Sequence, residues 1–165
     1  MSKHWIVIAN RIRVKVIEEN GGCLNIVTEF ENPLGHARDA EIQADRYGKQ
    51  TFPGRAVFHQ NASHSSPSEG HRVALRDEIL TKFMRAVSEF LDKEVPSQKV
   101  DEIALVADPR SLGILKKCLH KNVASKVDQM IARNFADLSQ PELIEHLKNV
   151  ECLKHAELYA PPRYY

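Results

Sequence analysis

The run Ile103-Ala104-Leu105-Val106-Ala107, followed at once by Asp108-Pro109, constrains this chain more than any other segment. Five apolar residues closed by a turn signal read as a strand buried on both faces. Such a strand implies a parallel partner and helices covering the sheet. Asp108 suits the cap of a following helix and Pro109 its first position, so Arg110 and Ser111 would sit beside unpaired backbone N–H groups at the positive end of the helix dipole. That is an anion-binding geometry in outline. Residues 109–127 hold Arg110, Lys116, Lys117, Lys121 and Lys126 with no acidic residue, although the whole chain carries a net charge of only +1. The competing reading is an ordinary amphipathic helix with a solvated basic face.

A chain of 165 residues, 42% hydrophobic and 27% charged, fits one globular α/β domain over residues 1–155 with a short tail at 156–165. No apolar run approaches the ~20 residues of a membrane helix. Trp5-Ile6-Val7-Ile8-Ala9 is too short, and too soon followed by Arg11 and Arg13, to be a signal peptide. The chain is therefore expected in the cytoplasm, without membrane insertion. Cys23, Cys118 and Cys152 are odd in number and widely spaced, which supports reduced packing residues and neither a disulfide framework nor a zinc site.

Trp5 to Ala9 reads as a first strand, and the alternation of Ile12, Val14 and Val16 with charged residues as a second. Glu18-Glu19-Asn20-Gly21-Gly22 is a turn, and residues 24–29 form a third strand ending before Asn32-Pro33, giving an antiparallel meander. Residues 34–70 show no sustained period, and a connection this long is usually functional or disordered. Ser66-Pro67-Ser68-Glu69 has capping-box spacing. The central helix behind it places Val73, Ile79, Leu80, Phe83, Met84, Val87, Phe90 and Leu91 on one face and ends at Val95-Pro96-Ser97. After the buried strand comes a helix over 109–120. Residues 123–135 suit a strand face or a helix, with a strand near 126–131 preferred. Ser139-Gln140-Pro141-Glu142 is a second capping box opening a final helix to Val150. The resulting order, βββαβαβα with a mixed sheet and helices on both faces, is that of ribonuclease H-like folds.

Three runs, Trp5-Ile6-Val7-Ile8-Ala9-Asn10-Arg11, Val106-Ala107-Asp108-Pro109-Arg110-Ser111-Leu112-Gly113 and Ala136-Asp137-Leu138-Ser139-Gln140-Pro141-Glu142-Leu143, together resemble the bacterial host attachment protein family, described as required for attachment to host cells. The resemblance runs from about Trp5 to Leu147. It implies kinship with the middle domain of archaeal and eukaryotic class 1 peptide-release factors and of the ribosome-rescue factor Pelota, hence a ribonuclease H-like domain working on ribosomes. The attachment name would then describe a phenotype.

In those factors a Gly-Gly-Gln loop lies between the third strand and the central helix. The corresponding interval here contains Tyr47-Gly48-Lys49-Gln50, in which Lys49 replaces the residue whose backbone freedom that loop uses. Peptidyl-tRNA hydrolysis by Gln50 is therefore disfavoured against a flexible glycine turn. A loop entering RNA through Arg38, Arg46, Gly48, Lys49, Gln50 and Arg55 suits the residues better, though Asp39, Glu41, Asp45 and Glu69 cancel its four cations formally. Two-metal nuclease chemistry needs clustered carboxylates. The first strand ends in neutral Asn10, leaving only Asp77 or Glu78 and Asp108, and Asp108 already has work as a cap. His36, His59, His64 and His71 lack metal-ligand spacing, and no nucleotide-binding glycine motif is present. No metal, cofactor or catalytic residue is expected, with Gln50 and Asp108 the only catalytic candidates.

The preferred reading is a non-enzymatic, translation-associated factor binding RNA or the ribosome, with Arg110, Ser111, Lys116, Lys117 and Lys121 as anion contacts. A surface or partner-binding protein acting in host attachment is the first alternative. A peptidyl-tRNA hydrolase or nuclease is the second. The sequence leaves the oligomeric state open.

Overall fold

The protein is described here from a computed structural model, covering residues 2–36 and 69–154. The expectations for the capping box at 66–69, for most of the interval 34–70 and for the tail 156–165 fall outside the described residues. Five strands, β1 (His4–Ala9), β2 (Arg13–Asn20), β3 (Cys23–Glu31), β4 (Glu102–Ala107) and β5 (Val127–Ala132), form one sheet in the order β3-β2-β1-β4-β5. The β1-β2-β3 meander is antiparallel, and β1-β4-β5 is parallel. The helices are α1 (Glu69–Ser97), α2 (Pro109–Cys118), the single turn α3 (Lys121–Ala124) and α4 (Gln140–Asn149). The mixed α/β sheet with helices on both faces is the architecture the sequence predicts, with α3 added, and the ambiguous stretch is a strand.

The two-sided burial expected of β4 extends to β1. Trp5, Val7 and Ala9 point with Ile103, Leu105 and Ala107 into one core, completed by Leu80, Met84, Val87, Leu91 and Val95 of α1 and by Leu115 and Val123. Ile6 and Ile8 point with Ala104 and Val106 into the other, beneath Phe135, Leu143, Leu147 and Leu153. Each fully buried side chain of this size contributes roughly 1.5–3 kcal/mol. The β1-β4 pair is therefore the place where neither helical layer can be lost.

Local signals set the connections. Gly21 and Gly22, both at positive φ (54° and 87°), turn β2 into β3 in a two-residue loop. That conformation favours glycine and matches the twist of a hairpin. β2 thus runs to Asn20, further than the sequence suggests. α2 stops at Cys118 and not at His120, because the buried Ser88 hydroxyl donates to the Cys118 carbonyl at 2.7 Å and Leu119 is extended. At the start of α4 the Glu142 carboxylate accepts from the Ser139 N–H (3.0 Å) and hydroxyl (2.7 Å). These bonds, the hydroxyl's first, hold that carboxyl below its usual range. Its modest surface contribution to stability is present at neutral pH and fades as acid protonates it.

One expectation fails. Val73 is not part of the core face of α1 but is 45% exposed. A helix of 29 residues is ~44 Å long, whereas a six-residue strand spans ~20 Å. The first turns of α1 therefore overhang the end of the sheet.

A buried polar pair anchors the opposite end. His4 and Glu19 face each other across β1 and β2 with Nδ1 2.9 Å from Oε2, and the same carboxylate accepts the Lys154 backbone N–H at 3.0 Å. Cys152 lies beside them, its thiol pushed up to about 12 by burial first and then by the charges of Asp128 and Glu19. Exposed Cys23 is expected to react with a thiol reagent at pH 8 while Cys152 reacts only after unfolding, a difference that peptide mapping of the labelled protein reads directly. Leu147→Ala, at a fully buried position, should cost about 2–5 kcal/mol in urea-induced unfolding.

Candidate functional site

The chain leaves β1 toward β2 on one side of the sheet and leaves β4 toward β5 on the other. The boundary between β1 and β4 is thus the topological switch point, where open α/β sheets bind ligands beyond the carboxyl ends of their strands. A cleft of about 420 Å³ lies there. Arg11 reaches it from the end of β1, Asp108 and Arg110 from the end of β4, and Val73, Arg76, Asp77 and Leu80 from the overhanging face of α1. His36, the last described residue before the interval 37–68, lines it as well.

The turn presenting Arg11 is built by asparagines. Asn10 is 4% exposed, and its Oδ1 accepts the backbone N–H groups of Ile12 and Arg13, each at 2.8 Å. This side-chain turn mimics a backbone one. Its Nδ2 donates to Asp137 at 3.0 Å and Asn134 at 3.3 Å, and Arg13 approaches Asp137 at 3.5 Å. Asn32 donates to the Arg11 carbonyl (3.0 Å) and accepts from Leu34 N–H (3.2 Å). Gly35 packs so closely that a Cβ there would meet the Arg11 carbonyl oxygen and the Ile12 Cα, each at 2.9 Å.

At the start of α2 the protein's own carboxylates occupy the anion-binding geometry. Asp108 caps the helix by accepting the Ser111 N–H at 3.1 Å. Arg110 grips one oxygen of Asp77 through Nε, at 2.7 Å, and through Nη2. Two sequence expectations change accordingly. Ser111 is fully buried, so its hydroxyl is withdrawn from any ligand because the residue packs under the first turn. Arg110 is not an unpaired cation, because Asp77 engages its Nε and Nη2, although its side chain stays 55% exposed. Lys116, Lys117 and Lys121 remain exposed, with no ion pair or side-chain hydrogen bond among the described residues. Lys117 borders a groove of about 580 Å³ between α1 and α2, lined by Arg85 and His120 and also by Asp77 and Glu89. Lys126 instead donates to the Val100 carbonyl at 2.5 Å.

Of the carboxylates considered for metal chemistry, Asp77 and Asp108 line the same cleft, but each already has a partner. Asp77 is engaged by Arg110, Asp108 serves as the cap, and Asn10 is committed to its turn and to Asp137. Among the described residues no group of three or more His, Cys, Asp and Glu side chains is placed to hold a metal ion. Arg38, Arg46, Gly48, Lys49, Gln50 and Arg55, with His59 and His64, lie outside the described residues.

Residues 3–147 match the model of the bacterial archaeo-eukaryotic release factor family 12. The chain belongs to that family. Its fold is similar to an archaeal translation termination factor (TM-score 0.52, 14% identity), over 95% of this chain and 36% of that one. A second archaeal protein gives a TM-score of 0.49 at 14% identity, over 95% and 36% of the two chains. The chain thus spans about a third of the length of these structures. No curated protein matches it by sequence. Of what the resemblance implies, a release-factor-like family is thus shown.

The three runs that carried that resemblance meet at one end of the sheet: Arg11 and Arg110, 99 positions apart, share the cleft, and Asn10 bonds Asp137, 127 positions away. Sequence reasoning missed Arg11 and Arg76 as cleft residues and the Asp77–Arg110 pair, whose members are 33 residues apart with no local signal joining them. The Asn10-Arg11 pair after an apolar strand was the one visible hint.

Asn10→Asp keeps the acceptor for the turn but sets a carboxylate against Asp137, and should cost about 1–3 kcal/mol in chemical denaturation. Asp137→Asn in the same chain should restore part of that loss. Unchanged stability in the single variant would show that the bond carries nothing.

Proposed function

We infer that this protein is a non-enzymatic, translation-associated factor that binds ribosomal RNA. The family supports a role like that of release factors, and the observation carrying the contact surface is the trio Lys116, Lys117 and Lys121, exposed and unpaired on α2 and α3. Three exposed cations with no ion pair among the described residues suit phosphate neutralisation, which supplies affinity without reading sequence, while Glu89 lines the groove beside Lys117 and Asp92 faces His120. Ser111 drops out of that surface because it is buried, and Arg110, engaged by Asp77, lines the cleft instead. The loop residues Arg46, Gly48, Lys49, Gln50 and Arg55 remain the second proposed RNA contact, since their interval follows in the chain directly after His36, which lines the cleft.

A hydrolytic role has less support. The residue at the end of β1 is neutral and committed, and Asp108 caps α2 through one oxygen. Gln50→Ala is expected to leave peptidyl-tRNA turnover unchanged. Attachment to host cells, the other role the resemblance implies, would require the protein outside the cell, whereas ribosome binding locates it in the cytoplasm. Immunoblotting of cell fractions separates the two.

The decisive measurement is co-sedimentation with ribosomes across a salt series. A variant with Lys116, Lys117 and Lys121 all changed to Glu should lose binding, and the parent's log affinity should fall with log salt more steeply by about 2–3 than the variant's. If the variant pellets like the parent at every salt concentration, the lysine surface is not the contact.

A further inference from the structure

We propose that the cleft at the β1–β4 switch point is a binding site for a nucleoside monophosphate, either free or as the phosphorylated end of an RNA strand. The proposal does not rest on the lysine surface, which lies on other residues. Two kinds of lining meet in the cleft. One is cationic: Arg11 is exposed and has no side-chain partner among the described residues, Arg76 lines the wall beside it, and Arg110 offers a guanidinium oriented by Asp77 and still 55% exposed. One oxygen of Asp108 accepts the Ser111 amide, the other has no hydrogen-bond partner among the described residues, and Asp77 is held by Arg110, so the acidic pair offsets the arginines only in part.

The other lining is apolar. Leu34 and Val73, 37% and 45% exposed, are two of the five large hydrophobic side chains left in solvent among the described residues, and both line this cleft. Val73 is there because α1 overruns the sheet, and Leu34 because Asn32 and Gly35 fold the chain back over Arg11. An isolated exposed leucine needs no explanation, but two flanking a set of arginines in one concavity make the mixed lining of a ligand site. Inorganic phosphate would use only the arginines, and a nucleoside only the apolar wall. A nucleoside monophosphate uses both, and about 420 Å³ falls within the ordinary range for such sites.

The guanidiniums act as donors to the phosphate oxygens, with Asp77 as a positioning residue for Arg110. The proposed event is binding alone, with no bond made or broken.

Isothermal titration of the full chain with adenosine 5′-monophosphate, adenosine and inorganic phosphate tests this. The monophosphate is expected to bind more tightly than either fragment. Arg11→Glu and Val73→Glu, at exposed positions, should each weaken it by about tenfold or more, while the triple lysine variant binds it like the parent. A short ribo-oligonucleotide carrying a 5′-phosphate, compared with its 5′-hydroxyl form, then distinguishes the sources. Tighter binding than the free nucleotide, lost without the phosphate, identifies an RNA end; equal or weaker binding identifies a free nucleotide. The site is overturned if the parent does not bind the monophosphate, if inorganic phosphate binds equally well, or if both variants bind like the parent. Ribosome co-sedimentation of Arg11→Glu, run alongside, keeps a failure here separate from a failure of the lysine surface.

Discussion

The parallel pairing of β1 with β4 is the interaction on which the rest of the molecule depends. Both strands are buried on both faces, so their side chains commit the protein to a helical layer on either side. The chain must then leave the two strands in opposite directions, one into a hairpin and the other through α2. A crevice between their carboxyl ends follows from that divergence. The overhang of α1, whose length exceeds the sheet's, turns the crevice into a walled cleft.

What occupies the start of α2 redirects the functional reading. Helix N-termini after parallel strands attract anions, and the order of residues after β4 has that form. Here the attraction is met within the chain, by Asp108 on the Ser111 amide and by Asp77 on Arg110. Such internal pairing leaves two separate basic regions: the lysines toward the end of α2 and on α3, open to a polyanion, and the arginine-lined cleft, closed in by α1. Membership of a release-factor family fits the first region. The second combines charge with exposed apolar surface, a property of enclosed small-ligand sites more than of phosphate-tracking surfaces.

The neutrality of Asn10 also has structural consequences. Where a carboxylate would be a metal ligand, the amide both accepts from the turn and donates to Asp137, which an aspartate cannot do. The end of β1 is thereby tied to the connection between β5 and α4, so the three runs that define the family resemblance form one supported corner of the sheet.

The sequence by itself determined the elements whose causes are local or periodic. Five apolar residues in succession made β4 a two-faced strand; Asp108-Pro109 and Ser139 with Glu142 marked helix starts through contacts within three residues; Gly21-Gly22 marked the hairpin by its backbone freedom. The topology of the mixed sheet followed from those elements and their order. Only the tertiary structure decided which charged groups were free. The engagement of Arg110 by Asp77, of Asn10 by Asp137 and the withdrawal of Ser111 join residues up to 127 positions apart or depend on burial, and one sequence carries no local trace of either. The exposure of Val73 was hidden for a related reason, since helical periodicity states which face is apolar but not how far the helix outruns the sheet beneath it. Periodicity and capping act over a few residues and are written in the chain, whereas pairing and exposure belong to surfaces that exist only once the sheet has closed its two cores.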